Sequence, residues 1–208
     1  MFLTLMLSAL AIARADDSVI YTNDFETAEL GRVPQDMLVL DGNFSIKEDA
    51  GNKFLELPGA PLDNFAVQFG PAETSGISVS ASIRSTAKGR RSPSFGIGVY
   101  GVAGFKLQVS AGKKSLEIYK DQTLLATVPF EWKSGQWTRL CLQAHPSTSG
   151  VWKAEGKAWP QDLPEPSKWL ISAESKTDDP SGRPSLFGSP FSGAPIQFDN
   201  LRVQAPKR

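Results

Sequence analysis

The chain has 208 residues, and its 22 Lys plus Arg balance 22 Asp plus Glu, so the formal net charge is +0. Without excess charge there is no bulk attraction for nucleic acid or an anionic membrane, and we expect neither as a partner. The single cysteine, Cys141, excludes an intramolecular disulfide, so a hydrophobic core must stabilise the fold.

The first residues of the chain have the features of an export signal. Residues 2–12 are almost entirely apolar, and Ala13-Arg14-Ala15 follows with the small-x-small pattern that a signal peptidase accepts. A membrane anchor is the less favoured alternative, because a spanning helix needs about 20 apolar residues. The sequence predicts a signal peptide at 1–15 and a single domain at 16–208, without a transmembrane segment, that is secreted or periplasmic.

Alternating apolar and polar residues predict β-strands through most of the mature chain. Successive side chains of a strand point to opposite faces, so the alternation in 77–84 gives one apolar and one polar face. Short polar or Gly-bearing turns separate several such segments, and we predict an antiparallel meander over 95–128. The same alternation recurs in 65–69, 95–100, 105–110 and 116–119.

The last segment predicts a strand with one irregularity. Ile196 and Phe198 share one parity, whereas Leu201 and Val203 share the other, and an extra residue at Asp199-Asn200 would return all four to the core, as in a β-bulge. An N-terminal strand at 19–25 is expected to pair with this C-terminal one. About a dozen short strands must stack as two sheets or close as a barrel to bury their apolar faces.

Four segments carry a resemblance to a known superfamily. Residues 21–26 resemble an opening strand, and 131–140 resemble a W-x-x-G-x-W strand entry. Residues 157–169 match a K-x-W-P…E-P-x-x-W pattern, and 198–203 resemble a closing strand. The chain thus resembles the concanavalin A-like lectin/glucanase superfamily, which includes laminin-G-like domains. The resemblance implies an all-β fold, a two-sheet antiparallel β-sandwich of jelly-roll form. The chain is also similar to exported proteins of planctomycete-type bacteria.

No catalytic constellation accompanies this resemblance. Retaining glycosidases carry two carboxyl groups about 5–5.5 Å apart. Glu117 and Asp121 are the nearest pair in the sequence, but Asp121 falls in a predicted turn. His145 precedes Pro146 in a predicted loop, with no nucleophile motif nearby. The sequence therefore predicts no catalytic residue.

The polar face of the meander is the predicted ligand surface. Tyrosine rings stack on sugar faces, whereas charged and amide side chains form hydrogen bonds with hydroxyls. Gly96 and Gly98 are expected to leave a groove beside them. A merely solvated face is the alternative, because alternation by itself requires one polar side. The predicted ligand-binding residues are Arg84, Tyr100, Lys106, Gln108, Glu117 and Tyr119.

A structural calcium ion (Ca2+) is the only candidate cofactor. Asp24, Glu26 and Asp199 come from chain ends that are expected to be neighbours, and Asn200 offers an amide oxygen. Calcium binds several oxygen ligands, so converging carboxylates are a plausible site. Ordinary acidic residues at strand ends and a bulge are the alternative.

Three functions remain open at this point. The leading hypothesis is an exported non-catalytic carbohydrate-binding or surface-interaction module, with a polysaccharide or glycan as partner. A divergent glycoside hydrolase or polysaccharide lyase is an alternative, using a set such as Arg84, Tyr100, Lys106 and Glu117; scattering of these side chains would exclude that set. A structural envelope or matrix protein is the third hypothesis.

Overall fold

The computed structural model describes residues 19–59, 63–148, 150–176, 180–191 and 193–206, and the predicted signal peptide at 1–15 lies outside them. The described chain contains fifteen strands and one short 3-10 turn at Ala111–Lys113. No helix in these ranges has the length and apolarity needed to cross a membrane. The strands are β1 (Val19–Asn23), β2 (Leu38–Asp41), β3 (Ser45–Asp49), β4 (Asn52–Leu57), β5 (Phe65–Gln68), β6 (Ile77–Ser85), β7 (Ser94–Val99), β8 (Phe105–Ser110), β9 (Ser115–Lys120), β10 (Thr123–Pro129), β11 (Thr138–Thr148), β12 (Val151–Pro160), β13 (Ile171–Lys176), β14 (Ser185–Ser189) and β15 (Ile196–Gln204).

The strands form two antiparallel sheets that stack face to face. Sheet A has the strand order β13-β12-β11-β6-β15-β4-β3, and β1 also pairs with β15. Sheet B has the order β10-β9-β8-β7-β14-β5-β2. The predicted all-β, two-sheet antiparallel sandwich is therefore confirmed. Since β6 lies in sheet A and β7 in sheet B, the chain crosses between the layers after Ser85.

The core lies between the sheets and is formed by one parity of each strand. Burial of each large aliphatic side chain stabilises the fold by about 1.5–3 kcal/mol relative to exposure. The opposite parity is left for the two outer faces of the sandwich. The alternating apolar residues of β6 and β8 are fully buried, with 0% exposure: Ile77, Val79, Ala81, Ile83, Phe105, Leu107 and Val109.

Strands β7 to β10 form the predicted meander. Each pairs antiparallel with the next, and Lys114 and Asp121 make its tight turns with φ of 54°. Both residues occupy the left-handed region that such turns require. The register of β8 and β9 follows from these turns, and it aligns the polar residues of the two strands on one face.

Strand β15 contains the predicted bulge. Asp199 pairs with Ser82 and Arg202 with Ser80, so β15 carries one residue more than β6 across this step. Asn200 has a φ of 51°, which allows the chain to accommodate the extra residue. The apolar residues on both sides of the bulge are consequently buried. The pairing of β1 with β15 confirms that the two ends of the described chain are neighbours.

The hairpin between β11 and β12 extends further than the sequence indicated. His145 belongs to β11, where it pairs with Lys153, so its assignment to a loop was wrong. Its Nε2 lies 3.4 Å from Oε2 of Glu155, a neighbour on β12. A cross-strand polar partner of this kind stabilises strand pairing but cannot be recognised from local sequence.

Candidate functional site

The structure brings four of the six predicted ligand-binding residues together. Lys106 and Gln108 lie on β8, and they pair directly with Tyr119 and Glu117 of β9. All four belong to the parity that faces away from the core, since Leu107 and Ile118 on the opposite parity are 0% exposed. The predicted polar face of the meander is thus the outer face of sheet B.

Arg84 lies on the other sheet. Its strand, β6, belongs to sheet A, where the guanidinium packs 4.8 Å from the centroid of the Trp137 ring and 5.8 Å from that of Phe54. Its Nε donates to Oε1 of Gln197 at 2.6 Å. The prediction that Arg84 shares a face with the meander was wrong, because the chain changes sheets between β6 and β7.

Tyr100 is buried rather than outward, with 4% exposure. Its hydroxyl donates to the backbone oxygen of Ser75 at 2.7 Å and lies 3.3 Å from that of Ala144. Strand alternation predicted an outward side chain, but Tyr100 follows the end of β7 and has a φ of 63°, which turns it inward. Burial raises the pKa of this phenol. The catalytic set that combined Arg84 and Tyr100 with Lys106 and Glu117 is therefore scattered.

Glu117 is the centre of a buried hydrogen-bond network. It is 2% exposed, and its Oε2 accepts from Ser110 Oγ at 2.5 Å and from the Tyr119 hydroxyl at 2.7 Å. Its Oε1 accepts from Ser115 Oγ at 2.9 Å and from Lys113 Nζ at 3.2 Å. Burial acts to raise the pKa of this carboxyl, but the four hydrogen bonds outweigh burial and the net pKa is lowered. Glu117 is consequently ionised at neutral pH.

A cleft of about 540 Å³ opens beside this network, and we call it the sheet B cleft. Aromatic and amide side chains from three separate parts of the chain line it, together with one lysine. A surface of this mixed character suits a ligand that has both apolar faces and hydroxyl groups. The lining residues are Asn64, Phe65, Ala66, Val102, Lys106, Gln108, Tyr119, Asp121, Gln122 and Phe187.

The two glycines of β7 shape the floor of the cleft, although not as an open groove. A Cβ on Gly98 would lie 2.6 Å from Cε2 of Phe187, so the missing side chain allows the Phe187 ring to lie against the strand. A Cβ on Gly96 would lie 2.2 Å from the backbone oxygen of Leu107, so this glycine permits a close strand approach. The glycines therefore allow close packing where the sequence suggested empty space.

Lys106 lies between two aromatic rings at this floor. Its Nζ is 4.7 Å from the centroid of the Tyr119 ring and 5.3 Å from that of Phe187. Burial lowers the pKa of the ammonium group, and the charge of Glu117 acts in the opposite direction. Such cation–π contacts hold the lysine stem and both rings in a defined arrangement.

Gln108 contributes an available acceptor. Its Nε2 donates to Ser110 Oγ at 2.9 Å and to Oε2 of Glu117 at 3.4 Å, which fixes the orientation of the amide. Across the described ranges the amide oxygen has no hydrogen-bond donor from the protein. A ligand hydroxyl can therefore donate to this oxygen.

The cleft also depends on residues that sequence reasoning missed. Phe187 comes from β14, which pairs with β7 and β5 although it is far from both along the chain. Ser110 and Ser115 are the strand residues that flank the β8–β9 turn, and Lys113 lies in the turn; all three donate to Glu117. The only sequence signal for Phe187 is its alternation with buried Leu186, and β14 is too short for a confident pattern.

The residues predicted to bind calcium lie near one another, but their carboxylates already have protein partners. Asp199 accepts from Asn52 Nδ2 at 3.2 Å and from the Asn200 amide at 2.6 Å, while Glu26 accepts from the Lys53 amide at 3.1 Å. Burial raises the pKa of Asp199, and the negative charges of Glu26 and Asp24 contribute. No group of three or more metal-ligating side chains occurs among the residues that the structure describes. The calcium site stays a prediction.

Comparison with known proteins gives matches at the level of structure. No protein-family model and no curated protein matches the sequence. The carbohydrate-binding module CBM66 from Bacillus subtilis superposes with a TM-score of 0.58 at 11% identity, covering 82% of this chain and 96% of that chain. The carbohydrate recognition domain of Emp47p gives 0.61 at 9% identity, covering 94% and 100%. The marine PL-14 alginate lyase from Aplysia kurodai gives 0.55 at 12% identity, covering 91% and 100%.

These neighbours define the class of fold. The protein has a jelly-roll β-sandwich similar to that of these carbohydrate-binding and carbohydrate-recognition domains. Identities of this size show the fold alone, because one architecture supports both binding and catalysis. The similarity to exported planctomycete-type proteins stays a prediction.

Proposed function

We propose that the protein is an exported, non-catalytic carbohydrate-binding module that binds a glycan in the sheet B cleft. One observation carries the proposal: the rings of Tyr119 and Phe187, the amide of Gln108 and the ammonium of Lys106 converge in one cleft. Sugars have apolar ring faces that stack on aromatic side chains and hydroxyl edges that form hydrogen bonds. The structural neighbours named as carbohydrate-binding and carbohydrate-recognition domains support the proposal through the shared fold.

The hydrogen bonds of Glu117 support binding because they order the site before a ligand arrives. The carboxylate fixes both the Tyr119 hydroxyl and the Gln108 amide, so neither side chain must lose much rotamer freedom on binding. Each rotamer-rich side chain that is immobilised on binding costs about 0.5–1.5 kcal/mol. A preorganised cleft therefore gains affinity without additional contacts.

The same network supports a non-catalytic role. A carboxyl group that acts as a general acid needs a raised pKa, whereas the pKa of Glu117 is lowered by its hydrogen bonds despite burial. Its oxygens are already occupied by donors, so Glu117 is poorly suited to attack a sugar. Asp121, the carboxylate in the lining of the cleft, belongs to the β9–β10 turn.

The test is affinity electrophoresis of the mature protein against a panel of soluble polysaccharides, followed by calorimetry on any that retard it. Tyr119→Ala should weaken binding about tenfold, equivalent to about 1.4 kcal/mol. Gln108→Ala should weaken it by a similar factor. Gln197→Ala removes an equally half-buried amide from the outer face of sheet A, and its affinity should equal that of the wild type.

Three results would contradict the proposal. Absence of binding to the whole panel would show that the protein does not bind carbohydrate in this test. An equal loss in Gln197→Ala would show that the cleft is not the binding surface. Release of reducing ends or unsaturated products from a bound polysaccharide would show that the protein is an enzyme.

A further inference from the structure

Among the residues that the structure describes, none is a polar partner of the Lys106 ammonium group. Its contacts are with the faces of the Tyr119 and Phe187 rings, at 4.7 and 5.3 Å. In the described part of the chain, no carboxylate lies within 4.0 Å of its Nζ and no acceptor forms a hydrogen bond with it. An ammonium group has three donors, so hydrogen-bonding capacity remains for a ligand in the cleft.

Partial burial of the Lys106 ammonium group strengthens its attraction for a negatively charged ligand. Lys106 is half-buried, and loss of hydration disfavours its charged form, which lowers its pKa. Cation–π contacts stabilise the ammonium group through the ring faces, but they leave its N–H donors without acceptors. A partly desolvated ammonium attracts an opposite charge more strongly than one in water, because the local dielectric constant is lower.

The buried carboxylate of Glu117, whose charge acts on Lys106, does not supply an acceptor for its ammonium group. Glu117 attracts Lys106 at longer range, but its oxygens accept from Ser110, Tyr119, Ser115 and Lys113 instead. The Lys113 ammonium also neutralises part of its charge at 3.2 Å. Asp121 lines the same cleft, but it is an exposed turn residue and forms no ion pair with Lys106 among the described residues.

We propose that the sheet B cleft selects acidic glycans, and that Lys106 binds the carboxylate or sulfate group of one sugar residue. This inference rests on the proposed function. An anionic group that approaches Nζ from the cleft, away from the ring faces, would supply the acceptors that Lys106 lacks, and a neighbouring hydroxyl could donate to the oxygen of Gln108. Lys106 would then determine which glycan is bound, while Tyr119 and Phe187 would contribute stacking that is common to all of them.

The test uses two pairs of polymers that differ in acidic groups: polygalacturonate against its methyl ester, and dextran sulfate against dextran. Binding is measured at about 0.15 M salt, where the Debye length of about 8 Å limits long-range attraction. In at least one pair, the wild type should bind the acidic member about tenfold more tightly, equivalent to about 1.4 kcal/mol. The pair that shows the preference distinguishes carboxylate from sulfate.

Three variants test whether the charge of Lys106 causes the preference for the acidic polymer. Lys106→Met keeps the side-chain length without the charge, so affinity for the acidic polymer should fall about tenfold more than affinity for its neutral partner, and the preference should disappear. Lys106→Arg should retain most of the preference. Lys153→Met, which removes the same charge from the outer face of sheet A, is the matched control and should behave as the wild type. Thermal melting of each variant verifies folding, and Lys106→Arg provides a second reading if Lys106→Met is unstable.

The outcomes distinguish failure of acid selection from failure of the proposed carbohydrate-binding function. Equal binding of acidic and neutral polymers by the wild type would overturn acid selection and leave a neutral carbohydrate-binding module. Absence of binding to these four polymers would overturn acid selection, and absence of binding to the whole polysaccharide panel as well would overturn both proposals. An equal loss of preference in Lys153→Met and Lys106→Met would attribute it to overall charge, and this would also overturn the role of Lys106.

Discussion

Replacement of Glu117 by glutamine tests the network on which the cleft depends. The variant keeps the shape of the side chain, and its one remaining oxygen can still accept from Ser110 and Tyr119. Each of these two hydrogen bonds stabilises the fold by about 1.5–3 kcal/mol with a charged acceptor and by about 0.5–1.5 kcal/mol with a neutral one. The ion pair with Lys113, whose side chain is 67% exposed, adds at most about 1 kcal/mol. Since the variant no longer buries a charge, we expect a net loss of about 1–3 kcal/mol of unfolding free energy at pH 7.

The dependence of this loss on pH follows from the lowered pKa of Glu117. The unfolded chain takes up a proton near the ordinary value of 4.5, whereas the folded protein takes it up only at lower pH. The stability from Glu117 is therefore fully present above this value and is lost as the pH falls through the folded pKa. In urea unfolding, the difference between wild type and Glu117→Gln should be constant above about pH 5.5 and should shrink below pH 4.5.

Glu155→Gln is the matched control for function. Glu155 is 8% exposed on the outer face of sheet A, and although burial opposes it, hydrogen bonds from Lys153, Gln143 and His145 lower its pKa as well. Both variants should lose stability, but only Glu117→Gln should weaken glycan binding. A difference in stability that stayed constant down to pH 3 would refute the argument, because the charge of Glu117 would then contribute nothing to folding.

Three other changes test the core, the cleft floor and the termini. Leu107→Ala should lower the unfolding free energy by about 2–5 kcal/mol in urea titrations, because this fully buried side chain leaves a cavity; a loss below about 1 kcal/mol would contradict the assigned core. Gly98→Ala should displace the Phe187 ring and weaken glycan binding more than it lowers the melting temperature, and unchanged calorimetric affinity would count against the assigned floor. If the predicted calcium site exists, calcium should raise the melting temperature of the wild type but not that of Asp199→Asn, and an equal rise in both would contradict it. In EDTA, Asp199→Asn should be at least as stable as the wild type, since burial raises the pKa of Asp199 and penalises its charge.

The faces of the strands could be predicted from sequence because a strand has a period of two residues. Burial of Leu107 and Ile118 requires Lys106, Gln108 and Tyr119 to face outward, whatever the rest of the chain does. The tight β8–β9 turn then fixes the register, so the three polar side chains that the cleft takes from this hairpin are encoded locally. Local pattern and local pairing agree here, which is why the sequence sufficed.

The remaining features depend on contacts that are distant in sequence. Alternation gives the face of Arg84 but not its sheet, since the change of layer between β6 and β7 is decided by pairing with β11 and β15. Tyr100 departs from alternation because one backbone dihedral angle enters the left-handed region. Phe187 reaches the cleft only because β14 inserts between β7 and β5. Each of these facts belongs to the topology rather than to any window of the sequence.

At most positions of the cleft, the side chains that face the ligand surface are different from those that form the core. Lys106 and Gln108 project from the outer face, so they contribute little to the core that holds the sheets together, and their identity can change with the ligand. Glu117 is the exception, because it is buried among donors and also orients Tyr119 and Gln108. Under the proposed function, a change of glycan specificity would therefore proceed through Lys106 at small cost in stability, whereas a change at Glu117 would affect folding and binding together.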